Sequence, residues 1–144
     1  MSRDGGTWVA PNPANEEDSA QPDAFGMQWR AVSGGYGLVG RLYGIEAGAE
    51  TTEFWTYREF WHPGERRAIL QQWGSNGMYG VGETGAETIH EQLEQTFWLP
   101  DGRSWRDGHR VVEDGDTYVT HQFNIDDTGN WTPNGSYTWT RQRS

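Results

Sequence analysis

The chain predicts an all-β fold, a single antiparallel up-and-down (meander) β-barrel of roughly eight to ten strands. Three observations carry that reading. Aromatic side chains outnumber branched aliphatic ones, with 20 Phe, Trp and Tyr (nine of them Trp) against 16 Leu, Ile and Val. The rings sit in short segments with two-residue alternation, the period of a pleated strand. Gly-containing turns cut those segments at near-regular intervals: Gly34-Gly35, Pro63-Gly64, Asn76-Gly77, Pro100-Asp101-Gly102, Asp114-Gly115 and Thr128-Gly129.

Residues 1–24 are rich in Pro, Asn, Asp, Glu, Ser and Ala, with Trp8 and Val9 as their apolar features. Such a composition offers little apolar surface to offset ordering entropy, so it predicts a flexible, disordered arm preceding a barrel domain over residues 25–144. The alternative is that Trp8 docks on the barrel end as a plug. From Phe25 the pattern changes. Met27 to Val32 alternates, and Gly34-Gly35 ends it. Tyr36 to Glu46 carries Leu38 and Leu42 with interleaved glycines, as a bent or bulged strand does. Thr51 to Trp61 places Trp55, Tyr57 and Trp61 on one face and Phe54 and Phe60 on the other. His62-Pro63-Gly64-Glu65 is a turn, with Pro set for its first central position. Arg66 to Gly74 returns, and Ser75-Asn76-Gly77 leads into Met78 to Glu83. In residues 88–99, Ile89, Leu93 and Phe97 fit both a helix at four-residue spacing, with Thr88 and Glu91 as a capping box, and one face of a strand. The turn that follows favours the strand.

The last third predicts registers. A three-residue loop with Gly last, applied to Pro100-Asp101-Gly102, sets Phe97 opposite Trp105, Gln95 opposite Asp107 and Leu93 opposite His109. The same loop at Glu113-Asp114-Gly115 sets Val111 opposite Thr117, Asp107 opposite His121 and Trp105 opposite Phe123. The shared inner face then holds Ile89, Leu93, Phe97, Trp105, Val111, Val119 and Phe123. Tyr137 and Trp139, two apart on the final strand, close the sheet.

That face also carries Glu91, Gln95, Asp107, His109 and His121. Buried charge is costly unless paired, so these groups must satisfy one another or line a wet cavity. Asp107 opposite His121 would fix the imidazole's tautomer, with His109 and Glu91 nearby. That set suits general acid–base work on a small ligand, and equally a structural hydrogen-bond network. A one-residue slip in register would turn the polar set to solvent. His109 and His121 with Asp107 or Glu91 could make three zinc ligands, but no metal-binding spacing supports them, and neither metal nor cofactor is expected.

The remaining composition excludes classes. A net charge of −10 opposes nucleic acid and anionic membrane surfaces. The chain contains no Cys, which removes disulfides, thiolate metal sites and cysteine nucleophiles. No apolar run approaches the length of a membrane span, and residues 1–20 lack the charge and apolar stretch of a secretory signal. The expectation is a cytoplasmic protein, and a homodimer is compatible with the sequence.

The C-terminal hundred or so residues resemble a calycin-type barrel, the group of lipocalin-like and fatty-acid-binding-like proteins, and above all small bacterial members of it. Carrying the likeness are Glu59-Phe60-Trp61-His62-Pro63-Gly64, Trp73-Gly74-Ser75-Asn76-Gly77, Phe97-Trp98-Leu99-Pro100-Asp101-Gly102 and Tyr137-Thr138-Trp139-Thr140-Arg141. Gly26-Met27-Gln28-Trp29 has one residue more than the Gly-x-Trp opening of secreted lipocalins. The resemblance implies a barrel with an interior ligand cavity and transfers no catalytic residue. The expected partner is a small apolar or aromatic molecule, polyketide-like among the options. It would lie against Trp29, Leu38, Trp55, Tyr57, Leu93, Gln95, Phe97, Trp105, Val119, Phe123, Tyr137 and Trp139. The alternative is a cofactor-independent cyclase or isomerase using Asp107, His121, His109 and Glu91.

Overall fold

The structure, a computed structural model, describes residues 5–84 and 92–143. Its strands are β1 (Gly6–Pro11), β2 (Ala24–Val32), β3 (Gly37–Glu46), β4 (Ala49–His62), β5 (Arg67–Gly74), β6 (Tyr79–Thr84), β7 (Gln92–Trp98), β8 (Ser104–Asp114), β9 (Thr117–Ile125) and β10 (Trp131–Gln142). A single-turn helix, α1 (Ala14–Glu17), bridges β1 and β2. Each strand pairs antiparallel with its chain neighbours and β1 pairs with β10, so the sheet is one closed ten-strand meander. The ambiguous stretch resolves as strand over Gln92–Trp98. Its proposed capping box, Thr88 with Glu91, lies outside the described residues.

Residues 6–11, which composition assigns to a mobile arm, instead form the strand that closes the barrel. β1 pairs with β2 from Gly6↔Trp29 to Pro11↔Ala24, and with β10 from Thr7↔Gln142 to Val9↔Thr140. An average over 24 residues hides what two side chains do. Trp8 is 5% exposed and Ala10 is fully buried, packed with Trp139 against Phe25, Met27, Leu42, Tyr118 and Tyr137. Burying one indole contributes roughly 4–6 kcal/mol, a large share of the cost of ordering a six-residue strand, and the ladders to β2 and β10 add to it. The barrel therefore begins at Gly6 rather than Phe25.

The first predicted hairpin register holds. Phe97↔Trp105, Gln95↔Asp107 and Leu93↔His109 are the observed pairs, and Gly102 at the loop end has φ 86°. The second does not. β8 and β9 are joined by the two residues Gly115-Asp116, with Asp114↔Thr117 flanking them and Gly115 at φ 60°. Glycine serves as the first residue of a two-residue loop, not the last of a three-residue one. Val111 consequently faces Thr120 instead of Thr117, an odd displacement. Every β9 side chain changes face: Tyr118, Thr120 and Gln122 alternate inward, while Val119, His121 and Phe123 alternate outward.

The inner wall is built in cross-strand rows. One runs Trp29–Gly40–Tyr57–Gln72–Gly80–Phe97–Trp105. Glycine alternates with rings because the rings lie over it: a Cβ at Gly40 would meet the Trp29 ring at 2.6 Å, and one at Gly80 the Phe97 ring at 2.6 Å. Eight strands already enclose enough space for inward side chains or one small ligand, and ten enclose more. The inward rings of Trp29, Tyr57 and Phe97 are all buried. Outside, Arg41 binds Glu50 and Arg106 binds Glu94, so charges interrupt the outer surface where a lipid-facing barrel would be apolar.

Candidate functional site

The row beside the aromatic one is polar. It runs Leu38–Glu59–Leu70–Gly82–Gln95–Asp107, with His109 two residues along β8. Strand alternation puts Gln72, Gln95, Asp107 and His109 on the inner wall, and their hydrogen bonds form a directed chain. The Gln72 amide donates to Gln95 Oε1, which fixes which end of the Gln95 amide is nitrogen. Gln95 Nε2 then donates to Asp107 Oδ1 at 3.1 Å and faces His109 Nε2 at 3.4 Å. With an amide nitrogen before it, His109 Nε2 is the acceptor and Nδ1 carries the proton. Gln72 and Gln95 are 5% and 3% exposed, as deep as the tryptophans of the core.

Burial sets the charge states. It raises the Asp107 carboxyl to about 7, against the lowering effect of the Gln95 hydrogen bond, and lowers the His109 imidazole to about 4. His109 is therefore neutral at pH 7 and Asp107 is poised between its two forms. Glu59, across the wall, is also raised by burial, and Tyr57 and Tyr118 are raised for the same reason.

Rings adjoin the polar chain. Phe97 stacks on Trp105 with centroids 5.2 Å apart and meets Trp55 edge-on at 5.6 Å, while Trp29 stacks on Tyr57 at 5.3 Å. Trp105 is 37% exposed, which puts it at an opening rather than in packed core. The Trp139 indole donates to Thr120 Oγ1 at 3.1 Å, whereas the buried Nε1–H groups of Trp8 and Trp29 have no partner.

Most of the residues expected to line a ligand do face inward: Trp29, Leu38, Trp55, Tyr57, Leu93, Gln95, Phe97, Trp105, Tyr137 and Trp139. Val119 and Phe123 do not, because the two-residue turn reverses β9; Phe123 packs outside on Trp131 at 5.3 Å, with Arg110 over both rings. The Asp107–His121 couple does not form. Asp107 is opposite Asn124, while His121 is exposed on the outer face opposite Arg110. Among the described residues no three His, Asp or Glu side chains group as metal ligands, so the set built on His109 and His121 does not assemble. Glu91 lies outside the described residues. The prediction missed Gln72, Glu59 and Tyr118. Gln72 shares the face of Tyr57 by alternation, and the four-residue loop after His62, longer than the His62–Glu65 turn expected, sets it directly opposite that ring. No family model and no curated protein matches the chain.

Proposed function

We propose that this barrel binds a small apolar or aromatic molecule inside its lumen, its body against the Trp55–Phe97–Trp105 rings and its polar end at Gln95–Asp107–His109. One observation carries the reading: a ring wall and a buried, oriented polar chain adjoin inside a closed ten-strand barrel. Polar groups buried so deeply cost stability unless they serve something, and fixing a ligand's orientation is such a service. The closed meander is consistent with the calycin likeness, whose members bind ligands in the same place.

The test is a titration of intrinsic tryptophan fluorescence and heat with neutral bicyclic aromatics such as 2-(1-naphthyl)ethanol. Binding that Trp55→Ala weakens by about tenfold supports the reading, a loss on the scale of one buried ring contact. Absence of any response across a panel of such compounds sinks it.

A second reading is favoured by Asp107 alone. A carboxyl titrating at about 7 beside a neutral imidazole is suited to moving protons at neutral pH. In a cyclase or isomerase the rings would hold a flexible substrate folded while Asp107 and His109 exchanged its protons. Turnover unchanged by Asp107→Asn would eliminate this reading.

A further inference from the structure

Building on the lumen reading, we infer that the ligand carries a cationic amine, seated between the Asp107 carboxylate and the rings of Trp55, Phe97 and Trp105. The chain carries only one kind of basic side chain that is always charged. It has no lysine, so all 11 of its basic residues are arginine. Those near the polar row alternate outward. On β8, Arg106 binds Glu94 at 3.0 Å and Arg110 lies over Phe123 and Trp131, both outside. Arg41 and Arg67 are held by outer glutamates. Arg141 does face inward, but at the opposite sector, where it lies over Trp8 and donates to the Gly5 carbonyl. Among the described side chains, Asp107 therefore stands in the lumen without a cationic partner.

An uncompensated buried carboxylate is costly, and a ligand cation removes that cost where a ligand anion would add to it. The rings point the same way, since indole faces attract cations and paired rings beside a carboxylate form a cage for an ammonium group. An independent observation comes from Trp29, which is 8% exposed and stacked on Tyr57 two residues from Glu59. Its inward indole carries an unpartnered N–H. That donor is left without an acceptor on the β2–β4 side of the wall, a cost that a ligand oxygen reaching it would remove.

The titration behaviour follows from the surroundings of Asp107. It faces Gln95 on β7, Asn124 on β9 and the uncharged His109 on its own strand, with Gln72 behind Gln95. None of these compensates its charge. An ammonium favours the ionised carboxylate, so below pH 7 amine binding releases a proton from Asp107, and affinity rises with pH as that group ionises near 7.

The experiment is calorimetric titration of the full chain with three probes sharing one ring system: 2-(1-naphthyl)ethylamine, 2-(1-naphthyl)ethanol and 1-naphthylacetate. The expected order is amine over alcohol by about tenfold or more, with the carboxylate weakest. Asp107→Asn should weaken the amine about tenfold more than the alcohol, erasing the preference between the two. Should that variant fail to fold, wild-type titrations at pH 6 in buffers of differing ionisation enthalpy should report a proton released with the amine and none with the alcohol. Alcohol binding as tightly as amine overturns the amine while leaving the lumen reading intact, as does amine binding without proton release. Silence from all three overturns both.

Discussion

Two sectors of the barrel wall are equally buried and differ in kind. Where β1 meets β10, Trp8, Ala10 and Trp139 pack on Phe25, Met27, Leu42, Tyr118 and Tyr137, and nearly everything in contact is ring or hydrocarbon. Across β5, β7 and β8, Gln72 and Gln95 are as deep as Trp139, at 5% and 3% exposed against 4%, yet what surrounds them is amide, carboxyl and imidazole. The first sector gains stability from its apolar contacts and loses some at the unpartnered Trp8 indole N–H. The second gives some up, because desolvating amides and a carboxyl returns little net energy even when each is hydrogen-bonded. Equal burial thus separates a wall that holds the barrel shut from a wall that presents chemistry to its interior.

The largest expected effect lies in the first sector. Trp139→Ala should lower stability by about 3–5 kcal/mol in urea unfolding, since it empties the seam and removes the indole donor to Thr120 Oγ1. A loss under about 1 kcal/mol would mean that the seam is not what closes the barrel.

Acidity probes the second sector, where the two titrating groups act in opposite directions. Asp107, raised from 3.8 to about 7, contributes stability that is fully present below pH 4 and lost as pH rises to 7. His109, lowered from 6.5 to about 4, contributes stability that is present above pH 6.5 and lost as pH falls through 4. In the wild type these trends offset each other in part. Asp107→Asn should leave stability rising from pH 4 to 6.5 and should exceed the wild type at pH 8; His109→Gln should leave it falling over the same interval. Unfolding midpoints at pH 4, 6 and 8 distinguish the variants, and identical profiles would dissolve the electrostatic contrast between the sectors.

The smallest effect belongs to His121→Ala. With the imidazole on the outer face, stability and ligand affinity should stay within about 0.5 kcal/mol of wild type. A larger change in affinity would return His121 to the lumen and restore the three-residue turn.

Local loop chemistry decided how far each sector could be read beforehand. Pro100-Asp101-Gly102 admits one turn, and from it followed the three pairs that bring Gln95, Asp107 and His109 together. Glu113-Asp114-Gly115-Asp116 admits two, because glycine can end a three-residue loop or begin a two-residue one, and only packing of Tyr118 against Trp8 and Trp139 selects between them. That selection is tertiary, which is why His121 was placed with Asp107 when it faces solvent. Trp8 was obscured for a related reason: its partners lie on β2 and on β10, and no window of sequence contains both. Glu59 and Gln72 share the face of Tyr57 by alternation, but their cross-strand partners were not legible, because the turn read at His62-Pro63-Gly64-Glu65 sets Leu70 opposite Tyr57 where the longer loop sets Gln72.

The pairing of Val9 with Thr140 sets a timetable for synthesis. A nascent chain adds roughly 5–20 residues per second, so β1 emerges on the order of ten seconds before the strand that completes it. Through that interval the growing sheet has two open edges, and Trp8 has only β2 to lie on. A rearranged chain that began at the Gly115-Asp116 turn and joined β10 to β1 by a short linker would make that contact local. The long-range closure would then fall to β8 and β9, so the Trp8 seam should form early and the Asp107 wall last.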